Sequence, residues 1–159
     1  MLQKFLLLLF PAILFYVPMA IYMKRGNRMT VFYYRMAFSE NTRKFYMRLL
    51  LLLLLLFHYL HHAVMNDITA LIPSTVIMLC LFFYKPADRV FYAIKSRMKM
   101  YVSLLLVLIL ATLIWHSLFP VVVTLGFYLH AAIFYPSMKV CRMAEEGMLM
   151  DDAIALLYY

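Results

Sequence analysis

The stretch from Leu49 to His62 reads LLLLLLLLFHYLHH, an unbroken leucine run closed by imidazoles and entered from Arg43, Lys44 and Arg48. A soluble helix keeps a polar face toward water, and no register of this run supplies one, so the stretch reads as a membrane span. The remainder of the chain extends that reading, because 67% of the 159 residues are hydrophobic and only 14% are charged. Such a composition lies outside the soluble globular range. The expected fold is all-α, a single polytopic transmembrane helical bundle over residues 1–159.

Spans are expected at about 2–23, 49–66, 68–84, 101–118 and 121–136, with basic loops 24–48 and 85–100 and a tail 137–159. The first imitates a signal peptide, with Lys4 ahead of an apolar core and Pro18-Met19-Ala20 near its end. Pro18 stands where cleavage needs a small residue, and Lys24, Arg25 and Arg28 follow at once, which favours a retained anchor kinked at Pro11 and Pro18. Ser39 has the chemistry of an N-cap, so the second helix is expected to begin near Glu40 and run on through the leucines. Asn66-Asp67 is a turn signal, and Ile68 to Tyr84 returns with Pro73 in its first half. Ala70 and Ser74 form a small-xxx-small pair that lets another helix approach. The last span is short, and Lys139 and Arg142 just beyond it argue for a full crossing.

On this topology every Lys and Arg except Lys4 falls on one side, which the positive-inside rule identifies as the cytoplasm. The N-terminus is then outside and the C-terminus cytoplasmic, and the compact design without N-glycosylation sequons suits a bacterial inner (plasma) membrane. The formal charge of +8 points to anionic lipid headgroups and not to nucleic acid, because the basic residues sit in short loops beside apolar stretches. Lys24, Arg25, Arg28 and Arg35 in the first loop and Arg89, Lys95, Arg97 and Lys99 in the second are the expected headgroup contacts. Met29, Phe32, Tyr33 and Met36 recur at helical spacing, consistent either with a helix in the headgroup plane or with a solvated loop. Val90, Phe91, Ile94 and Met98 repeat the pattern after Pro86, which is placed at a helix start. The tail carries Glu145, Glu146, Asp151 and Asp152 ahead of Ala153 to Leu157, with Gly147 dividing it. A short peripheral helix is expected to start at the acidic pair, the carboxylates suiting a helix N-terminus.

A weak self-similarity sets Tyr46-Met47-Arg48-Leu49 against Tyr101-Val102-Ser103-Leu104, His61 on His116, and Phe82-Phe83-Tyr84 on Ile133-Phe134-Tyr135. Two parallel-repeat hairpins would produce it, although leucine-rich spans also align by chance and the tyrosines serve equally as interfacial anchors.

Histidine inside a span is costly, which makes each one a functional hypothesis. His61 and His116 fall at matching depth in the two hairpins and could ligate a haem b iron axially, with His58 and His130 as the other candidates. A trio such as His58, His62 and His130 could instead hold zinc or copper, or the group could form a proton or quinone site with Asp67 as the carboxylate in reach. Against these stands ordinary bonding of neutral imidazole to backbone, lipid or water. Cys80 and Cys141 form no thiolate motif, and Cys80 among leucines and Phe82 reads as a packing residue. No nucleophile elbow, H-E-x-x-H or phosphate-cradling glycine loop occurs, and only 3 glycines are present. These readings lean away from an enzyme. They favour a small integral subunit of a homo- or hetero-oligomeric membrane assembly with a scaffolding or interaction role. A haem-binding or quinone-linked electron carrier and a channel or transporter component are the alternatives.

Overall fold

The computed structural model describes residues 9, 11–17, 20 and 27–147, and within the last stretch it describes side chains from Val31 onward. Lys24 and Arg25, most of the first expected span and the tail beyond Gly147 lie outside the described residues. Every described element is a helix, and no strand occurs among the described residues.

Two helices occupy what the sequence presents as one basic loop and the start of a span. Helix α1 is Asn27–Phe38 and α2 is Glu40–Met65. The break between them is the expected cap: Ser39 is extended (φ −129°, ψ 112°) and its Oγ accepts from the Thr42 N–H at 3.3 Å. Helix α2 ends where Asn66 turns left-handed at φ 52°, its N–H bonding back to His62 O. That is a conformation asparagine tolerates better than most side chains. Packing divides the uniform leucine run. Met47, Leu50, Leu54, Phe57 and His61 are buried in one stripe at three-and-four spacing, whereas Leu52, Leu55, Leu56 and Tyr59 are exposed.

The return from α2 differs from expectation. Where one continuous helix is expected over 68–84, α3 (Leu71–Leu79) runs into a 3-10 turn, Cys80–Phe82, and the chain then bends by 110° into α4 (Tyr84–Ser96). Phe83 at the corner is extended (φ −107°, ψ 115°). Pro86 supplies the reason: it has no N–H for the Phe82 carbonyl, and its ring would clash there in a continuous helix. Within α4 the missing N–H falls in the first turn, where it has no partner to lose.

Helix α4 is amphipathic, burying Ala87, Phe91 and Ile94. Helix α5 (Met98–Thr112) buries no residue at all. A second 3-10 turn, His116–Leu118, leads into α6 (Phe119–Phe134), which has Pro120 in its first turn. Helix α6 is the axis of the bundle and packs against α2, α3, α4 and α5. Around it, Leu54 and Phe57 of α2, Met78 of α3, Phe91 of α4 and Phe127 and Tyr128 of α6 form one core. The N-terminal segment 11–17 docks on the same helix where Gly126 leaves room, for a Cβ at Gly126 would lie 3.0 Å from the Phe15 ring. Helix α7 (Met138–Glu145) starts at Ser137, whose Oγ accepts from the Val140 N–H, and packs on α1 through Tyr34, Ala37, Val140 and Cys141.

Helix α2, and α6 with the turn before it (His116–Phe134), are long and apolar enough to cross a membrane. The bent pair of α3 and α4 makes a third if it is one broken span, and α5 is a shorter apolar helix. The peripheral helix expected ahead of Ala153 to Leu157 lies outside the described residues. Glu145 ends α7, because Ser137 sets the start and Gly147, at φ 80°, follows the end.

Candidate functional site

Two polar groupings are built into this apolar frame, one toward each end of α2. Toward its C-terminal end, α2 and α3 bring His58 and Ser74 together, both buried. His58 Nδ1 lies 2.7 Å from Leu54 O and Nε2 lies 2.8 Å from Ser74 Oγ, which is itself 2.9 Å from Leu71 O. A ring nitrogen facing a carbonyl carries hydrogen, so in neutral His58 it is Nε2 that accepts from Ser74. Ser74 has one hydroxyl hydrogen to divide between Nε2 and Leu71 O. Only an imidazolium would allow both contacts to be hydrogen bonds at once. Of the small pair Ala70 and Ser74, Ser74 touches the imidazole and Ala70 is buried in the preceding turn.

The remaining histidines are dispersed. His61 is 4% exposed, its ring stacks on Phe119 (centroids 6.1 Å, planes 26° apart), and its Nδ1 is buried without a hydrogen-bond partner. His130 bonds through Nε2 to Phe15 O at 3.1 Å and packs edge-on against Phe15 and Phe134. His62 and His116 are exposed, and His116 opens a 3-10 turn. Among the described residues no three His, Cys, Asp or Glu side chains converge as metal ligands, so His58, His62 and His130 are not brought together as a metal site. His61 and His116, aligned in the sequence, occupy unlike settings, a buried helix interior and an exposed turn. The paired tyrosines keep a parallel role of another kind. Tyr46 donates to Ala131 O at 3.3 Å and Tyr101 to Leu125 O at 3.1 Å, so both tie their helices to the backbone of α6. Between α2 and α3, Asp67 Oδ1 accepts from Thr69 Oγ1 (2.7 Å) and the Ala70 N–H (3.1 Å), and these bonds hold its carboxyl below the usual carboxylate range.

The second grouping lies at the opposite, basic end. Arg43 donates from Nη1 to Met36 O (2.8 Å) and Ala37 O (3.0 Å) and from Nε to Tyr84 Oη (3.0 Å), with Asp88 Oδ1 3.8 Å away. It thus closes the carbonyl end of α1 and joins α1, α2 and α4. Lys95 does the same for α6. Its ammonium reaches Tyr135 O and Ile133 O and lies 5.2 Å from the centre of the Tyr33 ring. Tyr135 donates to Asp88, and Tyr33 Oη accepts from the Ser137 N–H at 3.0 Å. Tyr92 donates to Cys141 Sγ at 3.0 Å, while burial pushes the Cys141 thiol above its ordinary range. Lys95, expected at the headgroups, is turned inward to these carbonyls. Arg35, Arg89, Arg97 and Lys99 are exposed, and the side chain of Arg28 lies outside the described residues.

The sequence reading missed this second grouping. One signal for it was present: Asp88 is the only carboxylate between Asp67 and Glu145, and it is placed among cations. Cys80 also has a partner beyond packing, since its Sγ lies 2.9 Å from Tyr128 Oη, which donates to Ile77 O.

Fold and groupings together define a small all-helical bundle with two or three helices able to cross a membrane, fastened at its basic end by cations on helix carbonyls. Comparison with protein-family models, with curated proteins and with solved structures finds no match to this chain.

Proposed function

We propose that the chain is a five-span integral protein of a bacterial inner membrane, N-terminus outside and C-terminus cytoplasmic, acting as a non-catalytic subunit of a larger membrane assembly. The observation that supports this reading is α5. It has 15 residues and buries none of them, leaving Leu104, Leu106, Val107 and Leu110 exposed beside its contact with α6. At about 1.5 Å per residue such a helix measures roughly 22 Å, short of a hydrocarbon core of about 30 Å. A short apolar helix with one face left exposed lowers its mismatch by associating with other helices. Light scattering and native mass spectrometry of the protein in mild detergent test the proposal. The expected result is a homo-oligomer or a stoichiometric complex that Leu106→Ala with Leu110→Ala weakens. A monomer without a stoichiometric partner would refute it.

The unpartnered Nδ1 of His61 supports a second reading, a b-type haem or quinone-linked electron carrier. An absorption spectrum of the protein purified from haem-replete cells decides it. A Soret band that sharpens on reduction and is lost in His61→Ala carries the reading, and a spectrum without one removes haem.

A further inference from the structure

A cavity of about 320 Å³, open along one side, lies between α1, α2, α6 and the N-terminal segment. Its walls include Leu14, Phe32, Tyr46, Leu53, Phe127 and His130. Two wall residues carry polar groups in their side chains, and each already has a protein partner: Tyr46 donates to Ala131 O and His130 bonds Phe15 O. The Tyr46 hydrogen and one His130 nitrogen are thus already taken, the other named wall residues are apolar, and the occupant is best matched by hydrocarbon. The cavity also has a direction. Phe32 and Tyr46 stand at the basic end of the bundle, and Leu53 lies two turns further along α2, about 10 Å deeper at 1.5 Å per residue.

A cation flanks the cavity on α1. Arg35 follows Phe32 by three residues, which puts it on the same side of α1, and it is exposed. Helix α1 contains no acidic residue, and among the described residues no carboxylate pairs with Arg35. Of the acids at this end, Glu40 pairs with Lys44 at 2.7 Å, Asp88 lies 3.8 Å from Arg43, and Glu145 and Glu146 are exposed at the far end of α7. An apolar slot about 10 Å deep, flanked on α1 by a guanidinium with no carboxylate partner among the described residues, is complementary to one amphiphile in particular.

We infer that this groove binds one acyl chain of an anionic glycerophospholipid, with the lipid phosphate at Arg35. The inference rests on membrane insertion but not on the assembly proposed above, and it is read on the monomer and on any oligomer separately. A neutral quinone ring would leave Arg35 without a counter-ion, and a free fatty acid is distinguished by experiment. The test is native mass spectrometry of the full chain in detergent with phosphatidylglycerol, phosphatidylcholine or oleate added. One phosphatidylglycerol should be retained in preference to phosphatidylcholine by roughly fivefold, the worth of one basic side chain near a lipid surface. Arg35→Gln should remove the preference. Leu49→Trp, placed at the partly exposed rim where the fold tolerates it, should weaken both phospholipids alike. A phosphatidylglycerol carrying a mid-chain diazirine should label residues 46–53 or 127–134, a readout that needs no variant. Equal retention of the two phospholipids, an unchanged preference in Arg35→Gln, stronger retention of oleate, or labelling confined to α5 would each overturn the inference.

Discussion

Replacing Arg43 by methionine keeps most of the side-chain volume and removes the group that joins three helices. Wild-type Arg43 satisfies the carbonyls of Met36 and Ala37 and the Tyr84 hydroxyl, and faces Asp88 at 3.8 Å. The pair is mostly buried, with side-chain exposures of 12% and 23%. A hydrogen bond from a charged donor contributes about 1.5 kcal/mol or more, and an orphaned buried acceptor costs about 1–3 kcal/mol. Asp88 retains the Tyr135 hydroxyl, so it is not left bare. Allowing for residual solvent access, the loss comes to about 3 kcal/mol. For a domain of this size that is a melting-point decrease of roughly 6–12 °C. The assay is thermal unfolding in detergent followed by a fluorogenic maleimide. With Cys80 replaced by Ser in the parent and in every variant, it reads the region directly, because buried Cys141 packs with Tyr34 and Ala37 of α1 in the cluster that Arg43 holds in place. Cys141 should also label faster in Arg43→Met well below the melting point, as α1 loosens before the core. Arg43→Lys should recover only part of the loss, because one ammonium lacks the fork that reaches carbonyls and phenol together. Melting within about 2 °C of wild type, with unchanged Cys141 labelling, would refute the assignment of Arg43 as the fastener of this end.

Two other outcomes are expected. Ser74→Ala leaves the buried His58 Nε2 without its partner and should cost about 1–3 kcal/mol in the same melting assay. His58→Leu with Ser74→Ala should recover part of that, and equal stability of wild type and Ser74→Ala would dismiss the pair. Alkylation of Cys141 should reach half its limiting rate above the pH of an unfolded thiol, about 8.5, since burial favours the neutral form. The fold binds that proton more tightly than the unfolded chain does. Its contribution is therefore complete below about pH 8.5 and is lost as pH rises toward the folded value. Melting curves from pH 7 to 10 should show this slope for the wild type and a weaker one for Cys141→Ser. Identical slopes would contradict it.

The legible parts of the sequence were those with local causes. Ser39 caps α2 through a contact with Thr42, three residues on, and Asn66-Asp67 turns the chain through asparagine's tolerance of a left-handed backbone. Pro86 marked a helix start, but its larger effect, stopping α3 short and turning the chain by 110°, depends on the path of the residues ahead of it. The histidines illustrate the opposite case. His58 and His61 stand one turn apart with similar neighbours in sequence, yet one is fully bonded and the other has an orphaned nitrogen. The difference is that α3 delivers Ser74 to His58, whereas α6 delivers the Phe119 ring to His61.

By itself, then, the sequence determined helicity, membrane-compatible composition and the positions of caps and turns, because propensity, capping and hydropathy act within a few residues. Tertiary structure decided which leucines of the run face inward, that Lys95 closes α6 instead of meeting lipid, and that Arg43 and Asp88, far apart in the chain, stand together. Leucine has no polar atom to declare its facing, and a basic side chain serves a helix carbonyl or a phosphate with the same hydrogens. The choice between them rests on which partner the packed helices bring within reach.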